Sequence, residues 1–262
     1  MILEMGRPRE PLLPSLGDAF NAVVVGATGG LGSAFVHALV SEPGCKRLFC
    51  TSRRPEDDVE LEENTCAVHL AIDIEDEGSV ASAAEVVRAQ VGKIHLVLVA
   101  TGILHDYSAL QPEKSWKHVN AESLNRVFRI NAVGPVLVAK HFLPLLADDG
   151  KTVFAALSAR VGSISDNRLG GWHAYRASKA ALNMLLKTNA VELSRLKSDA
   201  LCVALHPGTV DTRLSAPFQR NVPSGTMVSP EMAATRMLKV VNALEPSDSG
   251  YLIDWDGSTI PF

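Results

Sequence analysis

Residues 19–40 hold the pattern that most narrows the fold. An apolar run at 19–25 is followed by Gly26-Ala27-Thr28-Gly29-Gly30-Leu31-Gly32, and then by residues 33–40 with helical character. A short, continuous apolar run reads as a strand buried on both faces, and glycines permit the tight turn that a directly following helix requires. Strand, glycine turn and helix form the first half of a βαβ unit, whose next strand runs parallel to the first. The alternation then continues. Further apolar runs lie at 47–51, 66–72, 94–99, 152–157, 201–205 and 251–254, and helical patterns at 77–91, 121–146, 175–196 and 229–244. Pro135 predicts a kink inside the helix at 121–146, because it cannot donate to the helical ladder. The expected fold class is α/β: a mostly parallel, seven-stranded sheet flanked by helices, in one domain over residues 19–262. Residues 1–18, with three prolines, are expected as a surface extension, and 209–228 as a Gly- and Pro-rich lid.

In a doubly wound, Rossmann-type sheet of this kind, ligands sit at the carboxyl ends of the strands. Glycines let the backbone approach a pyrophosphate, which rests where helix amides and dipole favour negative charge. The spacing here is G-x-x-x-G-x-G. Gly26, Thr28, Gly30, Leu31 and Gly32 are therefore candidates to hold a dinucleotide. The second strand ends in Ser52-Arg53-Arg54, with no carboxylate before Glu56. An acid at that strand end would accept from the 2′-hydroxyl of NAD, whereas arginine accommodates the 2′-phosphate of NADP. Arg53 thus favours NADP over NAD. Asp73, beside Ile74, can meet an adenine or simply begin a turn. Ala100-Thr101-Gly102, small residues after the run at 94–99, suit close passage beside a ligand.

Tyr175 and Lys179 are four apart in the uninterrupted helical stretch 175–196, so their side chains leave one face about a turn from each other. A free tyrosine, with a pKa near ~10, exchanges protons poorly at neutral pH. A neighbouring ammonium favours the phenolate and is expected to lower that pKa. A tyrosine so placed can protonate a carbonyl oxygen as hydride reaches the carbon. Asn131 lies just before Pro135, where freed carbonyls and its own amide can hold a water.

Taken together, the glycine turn and the Tyr-Lys helix resemble those of the short-chain dehydrogenase/reductase family, from about Asn21 to the end of the chain. The stretch Ser158-Ala159-Arg160-Val161-Gly162-Ser163 through Tyr175-Arg176-Ala177-Ser178-Lys179, and the ending Asp254-Trp255-Asp256-Gly257, resemble its C-factor (C-signal) branch. The resemblance implies a proton relay through Asn131, ribose contacts from Lys179, adenine contact from Asp73, and backbone contact near Gly102. It also implies that Pro207, Gly208, Val210 and Thr212 meet the nicotinamide carboxamide. Val25 stands where the family usually has threonine, and Val99-Ala100-Thr101-Gly102 replaces its Asn-Asn-Ala-Gly. The family serine falls on Ala159. Ser158, its neighbour, is the candidate to orient the substrate carbonyl, an oxyanion-hole role. Homodimers or homotetramers, built through the long helices near Asn131 and Tyr175, are implied as well.

Composition sets the remaining limits. Over 262 residues the net charge is −4 with mixed signs, so no nucleic-acid partner is expected. Cys45, Cys50, Cys66 and Cys202 form no CxxC pair, and no histidine spacing reads as a metal site, which points to reduced thiols in a cytoplasmic protein. The start of the chain lacks a signal-peptide apolar run, and no stretch approaches the roughly 20 apolar residues of a membrane span. Two functions stay open. One is an NADP(H)-dependent reductase of a small-molecule aldehyde or ketone; the other is a low-turnover, cofactor-binding signalling or redox-sensing protein. The substrate itself, set by residues 104–116 and the lid, is not legible, although Trp172 and His173 are expected to line its cavity.

Overall fold

The computed structural model describes residues 10–54, 66–106, 109–221, 223 and 225–262. Residues 1–9 of the expected extension, 107–108 of the loop at 104–116, and 222 and 224 of the lid lie outside them. Strands β1 (Phe20–Val25), β2 (Cys45–Ser52), β3 (Ala67–Ala71), β4 (Leu96–Val99), β5 (Thr152–Leu157), β6 (Ala200–His206), β7 (Leu252–Asp254) and β8 (Thr259–Ile260) form one sheet. Its order is β3-β2-β1-β4-β5-β6-β7-β8, and every pair is parallel except β7–β8. Among the described residues the strands number eight, not seven. The extra one is a two-residue antiparallel return after β7, whose turn through Gly257, at φ 88°, is too short to register as an apolar run.

Alternation of side chains along the strands builds two cores. Val23 and Val25 of β1 face α2 (Glu77–Val91), α4 (Gly134–Phe142) and α5 (His173–Leu193). Ala22 and Val24 face α1 (Gly30–Val40) and α6 (Pro230–Ala243). Burial on both faces is what a parallel sheet requires. Part of the N-terminal lead belongs to the second core: Leu13 and Leu16 are buried, and the Glu42 carboxylate accepts from the amides of Leu12 and Leu13 at 3.0 and 3.1 Å. Leu13 and Leu16 thus leave the expected surface course, while Pro14 and Ser15 between them stay exposed.

The expected long helix at 121–146 is also revised. It is α3 (Ala121–Phe128), a π turn (Arg129–Val133), α4 and a 3-10 turn (Leu143–Leu145). Pro135 has no N–H for the Asn131 carbonyl, and the backbone widens one residue ahead of it, with Gly134 N donating back to Arg129 O. Gly134 packs so closely on the loop after β3 that a Cβ there would stand 2.5 Å from Ile74 Cγ1. Among the described residues, no helix is long and apolar enough to cross a membrane, and no three His, Cys, Asp or Glu side chains group as a metal site.

Candidate active site

The carboxyl ends of β1, β4, β5 and β6 surround a cleft of about 700 Å³. Its first wall is the β1–α1 turn. Gly26, at φ 88°, adopts backbone that side chains rarely tolerate, and a Cβ on it would lie 2.8 Å from Thr101 Cγ2. A Cβ on Gly32 would lie 2.0 Å from Gly26 O, so helix and turn can close on each other only through glycine. These two residues shape the turn from behind, while Thr28, Gly30 and Leu31 face the cleft. Thr212, in the loop after β6, crosses to within 2.8 Å of where a Gly30 Cβ would be, and it lines the cleft with Pro207.

The opposite wall belongs to α5. Tyr175 and Lys179 are both buried, both line the cleft, and the ammonium lies 5.8 Å from the phenol ring centre. Lys179 Nζ donates to Leu157 O at the end of β5, 2.8 Å away. Burial pushes the phenol up to about 12 and the ammonium down to about 8. The expected acidification of Tyr175 by Lys179 is thus reversed here: desolvation governs both groups, and the ammonium is directed at a carbonyl. At neutral pH the phenol keeps its proton and the lysine keeps its charge.

Asn131, fully buried in the π turn, does not line the cleft. Its Oδ1 accepts from Ile103 N at 2.7 Å, and its Nδ2 donates to Ile103 O at 2.8 Å and Ser178 Oγ at 3.2 Å. The amide is therefore occupied in clamping the Gly102–Ile103 segment to α5. Ser158 lines the cleft just past β5, but its hydroxyl donates to Asn183 Oδ1 of α5 at 2.7 Å, while Asn183 Nδ2 is buried without a partner. Ala159 follows in extended backbone, and Arg160 ties that loop to the end of β7 through an ion pair with Asp254.

The remaining expected contacts lie off this cavity wall. Arg53 is exposed at the end of β2. Asp73 makes a local turn, accepting from Glu75 N at 3.0 Å, and Ile74 packs on Gly134. Gly208, at φ 76°, lies against Trp255, and Val210 closes the base of the lid by bridging to Val228. The lid contacts the cleft further along, where His105 Nε2 donates to the carbonyls of Arg213 and Leu214, each at 3.2 Å.

Two features here were not foreseen as parts of the site. Gly170, Gly171 and Trp172 are three successive left-handed residues, the last a bulky one at φ 51°. Buried Glu113 holds that turn: its carbonyl accepts from Trp172 N at 2.6 Å, and its carboxylate accepts from Ala174 N at 3.2 Å at the start of α5. The indole then stands edge-on to Tyr175 at 6.2 Å and to Phe218 of the lid at 4.9 Å, so it buttresses the tyrosine instead of lining the cleft. The paired glycines were the available signal for the turn. Glu113 carried none, because it acts from about 60 residues away in sequence.

Residues 21–223 match the family model of the short chain dehydrogenases. The chain belongs to the short-chain dehydrogenase/reductase family. It is 31% identical over 257 residues to an uncharacterised oxidoreductase of Schizosaccharomyces pombe, covering 91% of this chain and 96% of that one. It is also 35% identical over 144 residues to the C-signal of Myxococcus xanthus, covering 55% of this chain and 81% of that protein. The crystal structure of NADPH-bound carbonyl reductase from chicken fatty liver superimposes with a TM-score of 0.78 at 25% identity, over 93% of this chain and 99% of that one. The chain is an NAD(P)-dependent oxidoreductase with C-factor-like relatives.

Proposed function

We propose that this chain is an NADP(H)-dependent reductase of aldehydes or ketones, with Tyr175 as proton donor. The observation that carries the reading is a buried, protonated phenol on one wall of a cleft whose other wall is a glycine turn at a helix N-terminus. The close approaches at Gly26, Gly30 and Gly32 fit a dinucleotide pyrophosphate at that turn, since a side chain at any of them would collide with its neighbours. When bound, the cofactor supplies the hydride.

The chain's own residues handle the proton. Tyr175 gives its phenolic proton to the carbonyl oxygen, and the Lys179 ammonium beside the ring stabilises the phenolate that results. Lys179 also lies where it can hold ribose hydroxyls. Asn131 positions the strand-end loop against α5, and an ordered water at the π turn would return the proton. Ser158 orients the carbonyl. Turning the Asn183 amide over would pair its Nδ2 with the Ser158 oxygen and release the hydroxyl hydrogen toward the cleft. Thr28, Leu31, Gly102, Pro207, Gly208, Val210 and Thr212 hold the cofactor with the glycine turn, and Asp73 and Ile74 border its adenine. Arg53, exposed at the end of β2, receives the 2′-phosphate. A cytoplasmic location fits four free thiols, and exposed Val133, Met184 and Val191 near Asn131 and along α5 suit a homodimer or homotetramer.

Steady-state oxidation of NADPH and NADH with aldehydes, ketones and quinones tests the reading. NADPH-dependent turnover is expected, and Arg53→Ala is expected to weaken NADPH about tenfold or more while leaving NADH nearly unchanged, as loss of a charge-assisted phosphate contact would do. Turnover with neither cofactor would remove the reading. A second reading, a low-turnover cofactor-binding signalling or redox-sensing protein, is favoured by Ala159 at the family's serine position. Tight NADPH binding by calorimetry without consumption of any carbonyl supports it over the first.

A further inference from the structure

None of the four cysteines lines the cleft, yet two of them lie at the amino ends of neighbouring strands, away from it. Cys45 opens β2, and Cys66 immediately precedes β3. These strands run parallel with Leu48 opposite Ala67, and Leu48 N donates to Cys66 O at 3.0 Å, which sets Cys66 beside Arg47. The ladder between β1 and β2 slips here: Phe20 faces Cys45 while Asn21 faces Arg47, so Lys46 is bulged. The Cys45 thiol consequently donates to Arg47 O at 3.8 Å, beside the residue that Cys66 faces, and each of the two thiols shifts the other.

The two sulfurs are unequal. Cys66 is partly exposed, and its interaction with Cys45, with a backbone hydrogen bond and the Arg47 guanidinium adding to it and burial opposing it, draws its thiol down. Cys45 is buried and pushed up by the same interaction, by burial, and by nearby Cys50 and Glu42. The more exposed sulfur is thus the more acidic, and its buried neighbour the less.

We propose that Cys45 and Cys66 form an oxidisable dithiol, in which Cys66 reduces a small hydroperoxide and Cys45 resolves the product as an intramolecular disulfide. In the first step the Cys66 thiolate attacks a peroxide oxygen and breaks the O–O bond, giving Cys66 sulfenic acid and, for hydrogen peroxide, hydroxide. In the second, the Cys45 sulfur attacks Cys66 as the Cys45 proton leaves, forming the S–S bond and releasing the sulfenic oxygen as water. The sulfurs lose two electrons and the peroxide gains them, so two thiols and one peroxide yield one disulfide and two waters. The chemistry uses no residue of the cleft and stands independently of the proposed reduction.

The test is to treat the intact protein with one equivalent of hydrogen peroxide, count thiols after denaturation, and map peptides without reduction. Free thiols are expected to fall from four to two, with Cys45 and Cys66 joined within one chain. Cys202, buried with its thiol pushed up to about 12 by burial, is expected to remain reduced. In Cys45→Ser, Cys66 is expected to stop at a sulfenic acid that dimedone captures. The proposal is overturned if all four thiols persist in the wild type, if the disulfide joins two chains, or if Cys66 advances to sulfinic acid while Cys45 stays a thiol.

Discussion

The two walls of the cleft are built in different ways. The β1–α1 wall is backbone and glycine, with nothing charged buried in it and each steric demand met by removal of a side chain. The α5 wall presents buried Tyr175 and Lys179, backed from behind by buried Asn131 and Glu113 and by the left-handed Trp172. The first wall is cheap in stability and intolerant of change. The second costs stability, through desolvated charge and backbone strain, and gains chemistry from it.

The largest effect is expected where the backbone leaves no room. Gly32→Ala would set a Cβ 2.0 Å from Gly26 O, and should destabilise the fold by about 3 kcal/mol or more and abolish NADPH binding. Thermal melts with and without NADPH measure both, and a near-wild-type Tm would mean that the turn is not as rigid as described. The α5 wall responds more gently. Glu113→Ala removes the carboxylate from Ala174 N at the helix start, a loss of about 1–2 kcal/mol, and loosens the turn that carries Trp172. Denaturant titration should show that loss, and kcat should fall more than KM changes if the indole indeed buttresses Tyr175.

Lys179→Met sharpens the contrast by reversing the sign. The ammonium is held down to about 8 by burial, so the folded state disfavours it, and at pH 7 that penalty is fully present. Methionine lacks the charge but forfeits the hydrogen bond to Leu157 O, leaving a net gain on the order of 1–2 kcal/mol at pH 7. As pH rises from about 8 toward 10.5, the folded lysine sheds its proton before the unfolded one, the wild type recovers stability, and the gain should shrink. A variant less stable than wild type at pH 7 would show that Lys179 is compensated by something beyond this geometry.

How far the sequence could be read follows the same divide. The strand–turn–helix at Gly26–Gly32 was legible because its turn is specified locally, Gly32 closing on Gly26 within it, although Gly26 and Gly30 also answer to Thr101 and Thr212 from distant strand ends. Helix α2 was read with its observed bounds for the same reason, with an Asp76 cap at one end and Gly92 at the other. The α5 wall was only half legible. Its i, i+4 spacing announced Tyr175 and Lys179, but not that shared burial would move the phenol upward. Nor could it announce that Asn131 spends its amide on Ile103, that Ser158 gives its hydrogen to Asn183, or that Glu113 grips the helix start. Each of those is settled by a partner 25 to 61 residues away. The eighth strand escaped for a simpler reason, being too short for any periodicity.

The central claim is that Tyr175 delivers the proton, and single-turnover stopped-flow of NADPH oxidation in Tyr175→Phe tests it most directly. With a carbonyl substrate that the wild type turns over, the rate of the chemical step should fall about 10²–10⁴-fold, while the NADPH affinity stays within a few fold. Equal single-turnover rates in the two proteins would contradict the account.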